Sequence, residues 1–215
     1  MPQMSITTTL LLAAALPLAA CGGAQSKAPR TPDENAGTGP AKPEIIGTWQ
    51  SACAPSPQPD GSTSYFRLDF DIAADIWKLD YTVHGNAECS APLLTVHIEG
   101  PYEIGQPSES VDGAHEAVFG FSDKTLTPHV QPLADMLSGM GQCGAGAWTA
   151  GEAQSVYETG CAGLGQRPKS ACSADHDLVK VEGDTLHFGK RPDDNDMCSP
   201  ERRPTALNPM GFKRT

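Results

Sequence analysis

Basic residues are scarce in this chain: 15 Lys plus Arg stand against 26 Asp plus Glu, for a net charge of −11. Residues 44–200 are more extreme, with 23 acidic against 8 basic side chains. That balance excludes nucleic acid as a partner, which requires clustered positive charge. It leaves a solvated acidic exterior, or a cationic partner, as the available readings. No C-x-x-C pair occurs among the seven cysteines, so the usual zinc and thiol-redox spacings are missing. No serine sits in G-x-S-x-G, His115-Glu116 lacks a second histidine at helical spacing, and His176 has no candidate nucleophile nearby. The chain is therefore expected to be non-enzymatic. Gly139-Met140-Gly141-Gln142-Cys143-Gly144 fits a dinucleotide fingerprint literally, but a helical pattern precedes it and a strand pattern follows, the reverse of what that site needs. Asp193-Asp194-Asn195-Asp196 lacks the glycine and the terminal glutamate of a calcium loop. Neither a cofactor nor a metal is expected.

Long apolar runs are also missing. The longest, Ile6 to Ala20, is uncharged but too short to span a bilayer comfortably. It reads as a secretory signal peptide over residues 1–20, and its end, Leu18-Ala19-Ala20-Cys21, resembles the lipobox of bacterial lipoproteins. That resemblance implies lipidation of Cys21 and a membrane anchor. Gly22 stands where an aspartate would imply inner-membrane retention, so an outer-membrane location is expected. From residue 22 to 43 the chain is Gly, Ala, Pro, Ser, Thr and scattered charge without periodicity. Such a segment cannot bury enough apolar surface to fold and is expected to act as a disordered tether.

What is present is alternation. With 39% hydrophobic residues but 22 Gly and 19 Pro, the composition predicts one core, many turns and few long helices. Four runs between Ile45 and Ile98 alternate apolar and polar residues with period two, as half-buried strands do. Trp49 belongs to the first; Phe66, Leu68 and Phe70 share a face in the second. Trp77, Leu79 and Tyr81 share one in the third, and Leu94, Val96 and Ile98 in the fourth. Ala117, Phe119 and Phe121 mark a fifth strand and Lys124 to Pro128 a sixth. A short helix is expected over Pro132–Gly139, an extended segment over Trp148–Tyr157, and a hairpin over Leu178–Phe188 turning at Gly183-Asp184. The fold class is thus mainly β: an antiparallel meander forming a closed or half-open barrel of about eight strands, with one short helix. The domain is expected over residues 44–198, followed by an extended tail over 199–215. Its dry side is either a filled core or a pocket.

Six cysteines remain once Cys21 is set aside, an even number that in an exported chain argues for disulfides. Up-and-down topology puts Cys53, after the first strand, and Cys89, after the third, at one end of the meander. The same reasoning places Cys172 and Cys198 at a common end. Cys143 and Cys161 are then left by elimination, which requires the segment between them to fold back.

Gly47-Thr48-Trp49 with Cys53, Trp77 with Tyr81, Cys89 with Pro92, Gly100 with Tyr102, Thr127-Pro128, Cys143-Gly144 with Trp148 and Gly151, Thr159-Gly160-Cys161, and Gly189 with Arg191-Pro192 follow one another in an order that resembles the adenomatosis-polyposis-coli-down-regulated domain family. The resemblance runs from about Gly47 to Arg203. It implies a non-enzymatic, β-barrel-like domain whose animal members are cell-surface inhibitors of Wnt signalling thought to capture hydrophobic ligands. Those members carry two copies and a membrane helix, whereas this chain has one copy and a lipobox, and Cys172 has no clear counterpart. The Wnt role therefore does not transfer. Gly47-Thr48-Trp49 also resembles the first-strand G-x-W of lipocalins. Residue type alone leaves core and pocket open; the resemblance implies the pocket. It would be lined by Trp49, Phe66, Leu68, Phe70, Trp77, Leu79, Tyr81, Leu94, Val96, Ile98, Phe119 and Phe121, and would hold an acyl or lipid-like ligand. The alternative is an envelope protein-interaction module with a filled core that acts through its acidic surface.

Overall fold

A computed structural model describes residues 41–58 and 60–215. The expected signal segment, Cys21 and the tether up to residue 40 lie outside the described residues.

The four alternating runs form β1 (Gly47–Ser51), β3 (Thr63–Ile72), β4 (Trp77–His84) and β5 (Pro92–Gly100), neighbours in that order, as a meander requires. Register keeps the apolar phase together: Trp49 lies opposite Phe70, Phe70 opposite Leu79, and Leu79 opposite Ile98. A slip by one residue would turn that whole set outward. The other phase is polar. There Gln50 donates to Asp69 at 2.6 Å, and His97 Nδ1 lies 2.7 Å from an Asp80 carboxylate oxygen. The short β2 (Ala54–Pro57) pairs only with β3, an edge position that tolerates its two prolines.

After β5 the chain makes β6 (Tyr102–Pro107), β7 (His115–Gly120) and β8 (Asp123–Pro128). Because β6 pairs with β7 and β5 with β8, these four strands are the two arms of one long hairpin, creased at Gly100 and Gly120. A Cβ on Gly100 would lie 2.1 Å from the Gly120 carbonyl oxygen, so only glycine lets the arms approach so closely. The Trp77 indole N–H donates to that same oxygen at 2.9 Å. The remaining strands are β9 (Gln154–Ser155), β10 (Ala174–Glu182), β11 (Thr185–Phe188) and β12 (Phe212–Arg214). The sheet runs β6-β7-β10-β11-β12-β1-β3-β4-β5-β8-β9. The two halves of the creased hairpin therefore sit at opposite ends of one curled sheet. The edge strands β6 and β9 do not pair, which makes the barrel half-open.

Three expectations change in detail. The strand number rises from about eight to twelve, because β2, β6, β9 and β12 are short or carry Pro and Gly that hide their alternation. Residues 199–215 are not a tail beyond the domain. Phe212 is buried in the core, β12 pairs with both β1 and β11, and Arg203 donates to the carbonyls of Ala117 and Asp177. Only Gln154–Ser155 of the expected extended segment is paired as strand. The helix α1 (Gln131–Gly139) stands as expected, although it buries Ala134 and Leu137 while Met136 is exposed. The disulfides are Cys53–Cys89, Cys143–Cys161 and Cys172–Cys198, the pairings that the topology and elimination give.

Candidate functional site

The concave face of the sheet is packed at one end and hollow at the other. At the packed end, beside the crease, Phe70 stacks on Phe188 with ring centroids 4.6 Å apart and meets Phe212 edge-on at 5.1 Å. Trp77 meets Phe119 edge-on, also at 5.1 Å. A second packed cluster, of Leu94, Val96, Leu126, Trp148 and Val156 with α1, backs the β5–β8 side.

At the hollow end the same strands present Phe66, Leu68, Leu79, Tyr81 and Ile98 inward, yet each of these remains only half-buried. They line a cavity of about 440 Å³ together with Val96 and Phe121, a volume within the range typical of small-molecule sites. Its rim is built from Leu164 to Arg167, the Cys172–Cys198 disulfide, Asn195, Asn208 and Met210. A smaller cavity of about 100 Å³ lies at the seam with the packed end, where Leu68 and Leu79 meet Phe70, Trp77, Phe119 and Phe188.

Charged groups reach this interior from three elements. On β8, Lys124 shares the inward phase with Leu126 and Pro128; it is 5% exposed, and its ammonium lies 3.7 Å from the centroid of the Phe121 ring. Burial lowers its pKa to about 8, with the nearby Asp175 acting in the opposite direction. On β10, Asp175 and Asp177 share the phase of Val179. Asp175 pairs with Arg191, which follows β11. Asp177 is buried and accepts from the backbone N–H groups of Leu178 at 2.7 Å and Gly189 at 2.9 Å. Desolvation raises its pKa to about 7, against the opposing pull of Arg191. A Cβ at residue 189 would fall 2.5 Å from the Asp177 carboxylate, so Gly189 is what makes room for that group. The third element is the rim, where Arg167 pairs with Asp196 at 3.1 Å. Asp175 also lies close to the sulfurs of Cys172 and Cys198, but a disulfide offers no thiolate to a metal.

Of the twelve residues expected to line a pocket, seven line the larger cavity: Phe66, Leu68, Leu79, Tyr81, Val96, Ile98 and Phe121. Phe70, Trp77 and Phe119 reach only the smaller one. Trp49 and Leu94 are packed away from both, Trp49 with its indole donating to the Ile45 carbonyl and its ring beneath the Arg214 guanidinium. Alternation missed the interior charges. The signal was nonetheless present, since Lys124 falls in phase with Leu126, and Asp175 with Val179. Periodicity gave no sign of Arg191 or of the rim loops, although Arg191 is among the residues that carry the family resemblance and the Cys172–Cys198 link of the rim was expected.

No curated protein matches this chain. The model of the family described as adenomatosis polyposis coli down-regulated 1 matches residues 25–191, well over half of its length, in a single copy. With its mainly β half-barrel and its three disulfides, this chain belongs to the adenomatosis polyposis coli down-regulated 1 family.

Proposed function

We propose that this protein is a non-enzymatic binding protein that holds a hydrophobic, acyl or lipid-like ligand in the half-barrel cavity and is anchored to the outer membrane through lipidated Cys21. The observation that carries the reading is the half-buried state of Phe66, Leu68, Leu79, Tyr81 and Ile98. Inward-facing apolar side chains of a filled barrel would be covered by partners from the opposite strands. Here their accessible surface faces a cavity, and leaving it wet forgoes roughly 25 cal/mol for each Å² that a ligand would cover. The polar rim supports the same reading, because ligand sites combine apolar walls with a few convergent polar groups.

Native mass spectrometry of the domain purified without its N-terminal segment tests the proposal. Co-purifying lipid that is released on denaturation, and saturable uptake of a fluorescent fatty acid or its ester, are expected. Absence of both would overturn it. Anchoring is tested separately: Cys21→Ser should move the protein from the membrane to the soluble fraction, and unchanged fractionation would remove the anchor from the proposal.

A further inference from the structure

Basic side chains, scarce in this acidic protein, gather at the cavity. Only 8 of the side chains between residues 44 and 200 are basic, against 23 acidic. Three of those eight, Lys124, Arg167 and Arg191, line the larger cavity, and Asp175 is the one carboxylate that joins them. Asp175 is engaged by Arg191, and Arg167 by Asp196. Among the described residues, no carboxylate comes within ion-pair distance of the Lys124 ammonium, and no acceptor takes a hydrogen bond from it. A buried cation without a counter-charge is costly to maintain. The Phe121 ring beneath it offsets only part of that cost. A cation without a direct ion-pair partner is thus set where the apolar wall of the cavity meets its polar side.

We infer that the ligand is a single-chain amphipathic anion, a long-chain carboxylate, whose head pairs with Lys124 while its chain lies along Leu68, Leu79, Tyr81, Val96 and Ile98. This rests on the reading that the cavity takes a hydrophobic ligand, and it names the head group that such a ligand carries. Lys124 on β8 lies directly opposite Ile98 on β5, so the ammonium and the apolar wall belong to one surface. One free cation matches one negative charge. A cavity of about 440 Å³ lies toward the lower end of the usual range for ligand sites, which favours one chain over the two of a phospholipid. The ionisable groups that share the cavity are Asp175 from β10, Arg191 after β11, Arg167 from the rim and Tyr81 from β4. The two arginines are engaged by carboxylates, and burial raises the pKa of the Tyr81 phenol, so Lys124 is the group whose titration governs the head. Because an anion favours the charged ammonium, carboxylate binding should weaken as pH rises through about 8.

The test compares cis-parinaric acid with its methyl ester, by fluorescence titration, on the wild-type domain and on Lys124→Met and Lys124→Arg. Methionine keeps an unbranched chain as far as Cε, so the bulk beside Phe121 is largely retained, but removes the charge. The wild type should prefer the acid to the ester. Lys124→Met should lose affinity for the acid by roughly tenfold or more, the size expected for a charge-assisted pair, with ester binding unchanged. Lys124→Arg should keep the preference for the acid. Equal binding of acid and ester by the wild type, unaltered in Lys124→Met, would overturn the carboxylate while leaving the hydrophobic ligand standing. Binding of neither probe by the wild type would sink both readings. Thermal unfolding guards against a folding artefact, because removing an unpaired buried charge should leave Lys124→Met at least as stable as the wild type.

Discussion

Phe70 and Phe66 lie four residues apart on the same face of the same strand, yet one is packed among aromatic rings and the other borders empty space. Trp77 and Tyr81 on β4 repeat the contrast. The strands do not decide which end is filled. What decides it is the opposite wall: at the packed end β11 and β12 supply Phe188 and Phe212, and the crease brings in Phe119. At the hollow end the opposite wall is a rim of loops carrying glycine, arginine and asparagine. Alternation states which way a side chain points and says nothing of what meets it there.

The contrast is broken most severely by a charge placed on each side of it. Leu94→Glu buries a carboxylate between α1 and β8 and should abolish cooperative folding in circular dichroism melts. Leu79→Glu, on the cavity wall, should leave a folded domain that no longer takes up a fluorescent fatty acid. Equal damage from the two would mean that the hollow end is filled in solution.

Truncation gives the next effect in size. Phe70→Ala removes a ring stacked on two others and should cost about 3 to 5 kcal/mol in urea unfolding. Leu68→Ala, two residues away on the cavity side, should cost no more than about 2 kcal/mol, because part of its surface is already exposed and less cavity is created. A Leu68→Ala cost matching that of Phe70→Ala would contradict the division.

The last effect belongs to the seam and is read as a dependence on pH. Asp177 has a folded-state pKa raised to about 7, whereas its unfolded value lies near that of an ordinary aspartate. Between those values the folded protein holds a proton that the unfolded chain has lost. The contribution of Asp177 to stability therefore falls as pH rises from about 4 to about 7, by at most about 1.4 kcal/mol per pH unit. Asp177→Asn keeps an acceptor for Leu178 and Gly189 without titrating. Its stability relative to the wild type should rise across that window in denaturant melts at fixed pH, and a flat difference would show that Asp177 is ionised throughout.

Much of the fold is legible in the chain because period-two alternation is strong where strands are long. The meander and the β10–β11 hairpin follow from it, the disulfides from the topology they imply together with elimination, and α1 from the helical spacing of Leu133, Met136 and Leu137 before Gly139. Short strands escape: Tyr102 and Ile104 on β6 alternate for too few positions beside Gly105 and Pro107, and Phe212 is a single apolar residue in a basic stretch. The cavity was half legible. Its apolar wall is in the alternation, but its depth depends on contacts between distant strands, and its polar side comes from loops without periodicity. Lys124 could have been read from phase alone, as a cation in a row otherwise reserved for leucine and proline.

The placement of β12 also governs when this protein can finish folding. That strand lies between β1 and β11, and the Thr215 N–H donates to the Thr48 carbonyl across 167 positions of sequence. Until residues 212–215 are available, β1 and β11 both keep an open edge, and the Phe70 and Phe188 rings lack the Phe212 ring that packs on them. Such distant pairing makes for slow closure. Without that last pairing the sheet has a gap between its first and eleventh strands, and the aromatic stack at the packed end stays uncovered on one side.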